Sequence, residues 1–265
     1  MRTILLLTSM LLCSFYTAHS QGLIVTYEEI AKAALPDLSH IDNPQVRAAV
    51  ESSMKDRVKD MSKTAQLLVN NEVSIYKIRA TQADSKKVAS GNISGSMTTQ
   101  SISATHTIYK NRHDKLRLSQ ASGLDKKEYL IEEPLTEYEW KIGKKKKMLS
   151  DYQCIEASTK TGSGTKITAW YTPDIPVNDG PSAYWGLPGL ILYVDINNGS
   201  RIFSCTGIEQ TDNLPEIEVP SEGEKVSRAQ YTKIVTEEMQ NLQNKSSEER
   251  GENSVRRSGA TIIRN

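Results

Sequence analysis

The sequence predicts an α+β fold in which a mostly antiparallel, curved β-sheet packs on one or two helices. Three observations carry this. Apolar and polar residues alternate at period two in most segments between residues 64 and 211. Clusters of Asn, Gly, Asp and Pro separate those segments, the strongest hairpin signal being Asn198-Gly199. Only two stretches, 44–63 and 225–244, show a helical period instead.

The first twenty residues read as a targeting segment outside the fold. Arg2 is their only charge, an apolar stretch runs from Ile4 to about Tyr16, and Ala18 and Ser20 supply small side chains before an expected cut between Ser20 and Gln21. This is the layout of a secretory signal peptide, and its apolar part is too short to span a bilayer. Cys13 follows Leu11-Leu12 rather than a small residue, so it reads as part of the discarded peptide and not as a lipid attachment site.

Gly22–Glu28 alternates as a strand, and residues 28–35 read as a helix start that Pro36 stops. Asn43-Pro44 is a helix start, with a capping side chain followed by proline at the first helical position. Val46, Val50, Met54, Val58 and Met61 then step by four and three, which predicts an amphipathic helix over 44–63. Leu67–Val69, a turn at Asn70-Asn71 and Val73–Ile78 predict a hairpin. Residues 81–103 read as a long polar insertion.

Strands are expected at 104–110, 114–120, 127–132, 138–142 and 152–159, with the basic run Lys144–Lys147 as a turn between the last two. GSGT at 162–165 reads as a hairpin tip before ITAWYT. Asn198-Gly199 sets Val194 opposite Phe203 and Leu192 opposite Cys205, so that Leu190, Leu192, Val194, Ile196, Phe203 and Cys205 share one buried face. Residues 225–244 suit a C-terminal helix, and the polar stretch 246–265 reads as a loosely held tail. The chain is therefore expected to hold a single domain over 21–245.

Composition narrows the function. Removing Arg2 from 33 basic residues leaves 32 against 32 acidic ones, and this balance creates no long-range field for nucleic acid. No later segment has the apolar length of a transmembrane helix. HExxH, CxxC, G-x-S-x-G, P-loop and dinucleotide fingerprints are absent, so no cofactor, metal or catalytic residue is singled out. His113-Asp114 reads as a solvated turn, because one imidazole and one carboxylate do not close a coordination shell. Cys154 and Cys205 are the two cysteines left after the leader. In an oxidising compartment they either bridge, closing a loop of about 50 residues worth on the order of 4 kcal/mol, or remain two free thiols.

The stretch 173–189 draws most interest. In KITAWYT, Ile167, Ala169 and Tyr171 face one way and Trp170 the other, and Pro173 ends the ladder. Pro176, Asn178, Asp179, Gly180 and Pro181 form a chain of turns, and Gly186–Gly189 is another that feeds the apolar strand Leu190–Val194. Three readings stand side by side. The stretch is a rigid crossover packed over the sheet, or a recognition surface built from Trp170, Tyr171, Tyr184, Trp185 and Leu187, or a catalytic loop whose acid–base groups would be Asp174 and Asp179.

GLPGLIL at 186–192, its lead-in AWYTPDIPVNDGP, the block YEWKIGKKKKMLSDYQCIEAS and the opening GLIVTYE together resemble the GLPGLI family, secreted proteins of Bacteroidetes-type bacteria. The likeness is close over about 22–30 and 138–195. It implies a Gram-negative envelope setting, periplasmic or associated with the outer membrane, and carries over no activity, cofactor or site residue. Cys205 falls outside the family pattern, which weakens the bridge to Cys154. By fold analogy alone, the expected sheet is similar to the open half-barrels of envelope lipoprotein carriers.

The leading expectation is a non-enzymatic binding or accessory protein of the envelope, with an envelope protein, a lipid or a peptide as partner. An envelope hydrolase with an unrecognised site and a structural or assembly component are the alternatives.

Overall fold

The computed structural model describes residues 22–32, 38–39, 41–55, 61–70, 72–79 and 104–259. The expected leader, the 81–103 insertion and the end of the tail lie outside the described residues.

One twelve-stranded sheet organises the chain. Its first meander runs β1 (Gly22–Ala31), β2 (Met61–Val69), β3 (Val73–Arg79), β4 (Ala104–Asn111), β5 (Leu116–Ser122) and β6 (Glu128–Pro134). Its second runs β7 (Lys141–Leu149), β8 (Tyr152–Lys160), β9 (Lys166–Thr172), β10 (Leu190–Ile196) and β11 (Arg201–Thr211). β1 pairs with β2 on one side and β11 on the other, so the first strand joins the two meanders. All of these pairs are antiparallel; the short β12 (Glu224–Val226) adds to β6 in parallel. Among the described residues the helices are α1 (Pro44–Lys55) and α2 (Arg228–Gly259).

The hairpins form where turn chemistry placed them. Asn70 Oδ1 accepts the backbone N–H groups of Glu72 and Val73 at 2.9 and 2.8 Å and so closes the β2–β3 turn. Val194 sits opposite Phe203 as expected, although the loop widens to four residues because Asn197, Asn198 and Gly199 all take positive φ. The same register carries the β10–β11 ladder to Tyr193–Ser204, one pair short of Leu192 and Cys205, and on its other edge Cys205 pairs with Tyr27 of β1.

A bulge also breaks the alternation of β10. Ile191 faces Tyr171 and Val194 faces Ala169, so these two share a face, while Leu190 pairs with Thr172 on the other. Leu190, Ile191, Leu192 and Val194 are nonetheless all buried, which makes β10 a strand covered on both faces.

Following the registers from β9 through β1 to β5 traces one continuous inner face. It carries Ala169, Val194, Phe203, Tyr27, Leu67 and Tyr76, all buried. A second cluster forms where α2 meets the sheet: Tyr231, Ile234 and Val235 pack on Ala121, Tyr129 and Ile131. Ser227 caps α2 reciprocally, its hydroxyl accepting the Gln230 N–H at 3.2 Å while Gln230 Oε1 accepts the Ser227 N–H at 2.7 Å.

Several expectations are corrected. Residues 28–31 continue β1 rather than opening a helix, because Tyr27 and Glu29 keep the buried alternation. Asn43 does cap α1, accepting the Gln45 and Val46 N–H groups at 2.9 and 3.3 Å, but the helix is described only to Lys55, and Met61–Lys63 already belong to β2. None of residues 44–53 is buried and Val46 is 49% exposed, so the sheet does not wrap around α1. The 138–142 strand begins later, at Lys141, and Lys144–Lys147 lies within β7. There the lysines line the sheet's edge, where charge discourages pairing with another chain. α2 runs to Gly259, through the stretch read as a loose tail.

Candidate functional site

Pro173–Gly189 crosses from β9 to β10 as a strap whose shape is set from within. Leu190 N–H donates to Ile175 O at 3.0 Å, Ile191 N–H to Asp179 O at 2.9 Å and Gly186 N–H to Asn178 O at 3.2 Å. Gly189 sits at φ +150°, and a Cβ there would lie 2.1 Å from the Thr172 carbonyl oxygen. Only glycine lets the exit of β9 and the entry of β10 approach this closely. The GLPGLI stretch therefore works as a backbone clamp, with Leu187 only 1% exposed as its apolar anchor.

A buried charge cluster ties this crossover to the first meander. Lys110 on β4 ion-pairs with Asp179, and Arg112 just beyond β4 binds the other carboxylate oxygen. Lys110 Nζ also donates to Gly180 O at 2.8 Å and reaches Tyr184 O at 3.5 Å. The Gly180 N–H donates to Asp179 Oδ1 at 2.7 Å, and Arg112 donates to Asn70 O as well. Lys110 and Asp179 are fully buried. Burial pulls the Lys110 ammonium below its ordinary value, and the Asp179 carboxylate opposes that pull. Lys110 Nζ and both Asp179 carboxylate oxygens have partners, so removing one member would strand a charge in the interior.

A third set of contacts comes from residues 135–140. Trp140 Nε1 donates to Trp185 O at 2.8 Å, and Trp185 Nε1 donates to Thr136 O at 2.6 Å. Tyr184 stacks between Tyr138 and Phe203, with ring centroids 5.6 and 5.8 Å away.

The structure does not gather the five residues of the expected recognition surface on one exposed patch. Tyr171 and Leu187 are 3% and 1% exposed and belong to the core. Tyr184 packs its ring against Tyr138 and Phe203, and Trp185 spends its indole N–H on the Thr136 carbonyl. Trp170 points to the opposite side of the sheet, where Lys147 Nζ lies 4.2 Å from its ring centroid. The catalytic-loop reading loses its chemistry as well: Asp179 is sealed in by two cations, and Asp174 is exposed, with its N–H bonded to Thr172 Oγ1 at 3.3 Å.

Cys154 and Cys205 are both free thiols. They lie on β8 and β11, with β9 and β10 between them. Three strand spacings of about 4.8 Å place them roughly 14 Å apart, well beyond the Cα separation a disulfide spans. Burial pushes both thiols up to about 11.

Sequence reasoning missed the inner face beside the strap. A cavity of about 210 Å³ opens there between the sheet, Ser182-Ala183 of the crossover and the start of α2. Arg117, Arg201, Arg228 and Lys63 reach it from four elements, together with Glu29. Arg201 Nε lies 3.3 Å from Glu29 Oε1, and Arg117 Nη2 lies 2.9 Å from Glu133 Oε2. Arg228 grips the same Glu133 carboxylate, with Nη2 2.5 Å from Oε1. Burial raises the Glu133 carboxyl, and the bonds from Arg228 and Arg117 outweigh it, so the net value falls below the ordinary carboxylate range. The apolar wall is Tyr76, Ile78 and Ile108. Tyr76 is 2% exposed, and its hydroxyl has no hydrogen-bond partner. A wider hollow of about 410 Å³ lies beside the GLPG turn, against Asn70, Arg112 and Pro188. Among the described residues no group of three or more His, Cys, Asp or Glu could hold a metal ion. Nor, among them, is any helix long and apolar enough to cross a membrane.

Comparison with known proteins adds a family model described as "Protein of unknown function (Porph_ging)", which matches residues 159–193, the span from the end of β8 into β10. No curated protein matches. Two crystal forms of PNGF-II share 15% identity with this chain, with TM-scores of 0.48 and 0.49 over 81% of it. This chain spans 32% and 33% of those chains, about a third of their length. An uncharacterized conserved protein from Thermus thermophilus aligns at 9% identity and a TM-score of 0.37, covering 79% of this chain and 91% of that one.

Proposed function

We propose that this chain is a non-enzymatic binding or accessory protein of the bacterial envelope, exported by its N-terminal leader and acting in the periplasm or at the outer membrane. The observation that carries the reading is the division of labour among its ionisable groups. The one acid buried in the crossover, Asp179, is saturated by Lys110, Arg112 and a backbone N–H, and so is used as a fastener. The inner-face cavity gathers positive charge but holds neither a nucleophile–base pair nor two facing free carboxylates. Such a surface holds a ligand rather than transforming it.

The test is a binding screen of the purified chain against envelope lipids, peptides and glycans, run beside a hydrolysis panel of esters, peptides and glycosides. Saturable micromolar binding without turnover is expected. Turnover of any panel substrate that Asp179→Asn abolishes without unfolding the chain would overturn the reading.

A further inference from the structure

We infer that the inner-face cavity is a binding site for a small organic acid, held by a single carboxylate or phosphate head. The inference rests on the binding-protein reading and names the ligand chemistry of its cavity.

Charge comes first. Lys63, Arg117, Arg201 and Arg228 line the space, against Glu29 on its wall and Glu133 just behind it. Four positive groups against two negative ones leave an excess of two. Lys63 has no carboxylate partner among the described residues, although Glu29 is its cross-strand neighbour. Arg201 contacts Glu29 through Nε, which leaves the outer edge of its guanidinium fork for a ligand. A planar fork of this kind matches the two oxygens of a carboxylate or phosphate.

The second observation is independent of charge. Tyr76 is 2% exposed and lines the cavity, yet its hydroxyl bonds to nothing. A buried hydroxyl without a partner is rare and costs about 1–3 kcal/mol. Its neighbours across the ladder, Leu67 and Ile108, offer no polar side chain. A ligand oxygen in the cavity supplies what the protein does not. Ser119 and Ser182 add two more hydroxyls to the lining.

Size and apolar surface set the rest. A space of about 210 Å³ equals roughly seven water volumes, so an isolated phosphate would leave most of it empty. The wall of Tyr76, Ile78 and Ile108 is suited to the face of a sugar ring or a short apolar body. The ligand is thus an acid of about ten to sixteen non-hydrogen atoms, with its head toward Arg201 and Arg117 and its body toward Tyr76.

Isothermal titration of the purified chain at low salt tests this. The probes are glucuronate, glucose 6-phosphate and phenylacetate, with glucose and phenylacetamide as neutral counterparts. At least one acid is expected to bind saturably, and its neutral counterpart at least about tenfold more weakly. Arg201→Gln should weaken that acid about tenfold. Tyr76→Phe should weaken it about fivefold while leaving the unfolding midpoint unchanged or raised. No saturable binding of any acid up to about 10 mM, equal binding of the neutral counterparts, or indifference to both substitutions would overturn the inference. Should a lipid, peptide or glycan bind with an affinity that Arg201→Gln does not alter, the binding-protein reading stands and this assignment of its site falls.

Discussion

The inner face of the sheet has two halves that solve the same problem in opposite ways. Across β9, β10 and β11 it is filled by the chain itself, with the crossover laid over Ile191 and Phe203 and locked by Asp179. Beside the strap, over β1 to β5, it stays open, and four of the five charged groups that meet there are cations, set around an unbonded phenol. Lys110 belongs to the first half by bonding and to the second by strand. It shows that burying a charge and exposing one cost different things: in the filled half each charge has its partners inside, while in the open half some remain to be met. The filled half accounts for rigidity, and the open half carries the proposed binding site.

The comparison breaks most sharply at the lock. Asp179→Ala leaves Lys110 and Arg112 buried without their carboxylate, and denaturant titration should record a loss of about 3–5 kcal/mol. A loss under about 1 kcal/mol would mean that water reaches the cluster. Next comes Gly189→Ala, whose methyl group would collide with the Thr172 carbonyl. A loss of about 3 kcal/mol, near the top of the usual range for one substitution, is expected by the same method.

The open half should respond less. Glu133→Gln weakens two guanidinium contacts, that of Arg228, which holds α2 to the sheet, and that of Arg117, which crosses from β5 to β6, and about 2 kcal/mol should be lost. Because the folded Glu133 carboxyl lies below its unfolded value of about 4.3, its contribution is complete above that pH and disappears as pH falls through the folded value. Stability measured from about pH 6 down to about pH 3 should therefore fall less steeply in Glu133→Gln than in the native chain. Tyr76→Phe stands at the end of the series, with no loss or a slight gain, since the hydroxyl it removes makes no bond.

Much of the scaffold was legible because it rests on local chemistry. The turn at Asn70 and the cap at Asn43 follow from side chains that bond their own neighbourhood, and the hairpin at Asn198-Gly199 from residues that accept positive φ. The 144–147 run misled because four lysines resemble a solvated turn, whereas an edge strand tolerates them equally well. The stripe at 46, 50 and 54 has helical spacing, but spacing says nothing about whether a partner surface exists, and for α1 none of residues 44–53 is buried. Alternation in β10 failed at one bulge, which no residue type announces.

The cavity was the least legible part. Lys63, Arg117, Arg201 and Arg228 lie up to 165 positions apart, and only the pairing of β1 with both β2 and β11 brings them together. Asp179 stands in the sequence only as an acid of the loop, because Lys110 and Arg112 lie 69 and 67 residues away.

The central claim is that the crossover is a fixed wall, fastened to β4 by one carboxylate. Amide hydrogen exchange read residue by residue tests it most directly. The Gly180, Gly186 and Ile191 amides should be protected as strongly as those of β1, and all three should lose protection together in Asp179→Ala while the β2–β3 hairpin keeps its own. Rapid exchange of these amides in the native chain, or unchanged protection in the variant, would contradict it.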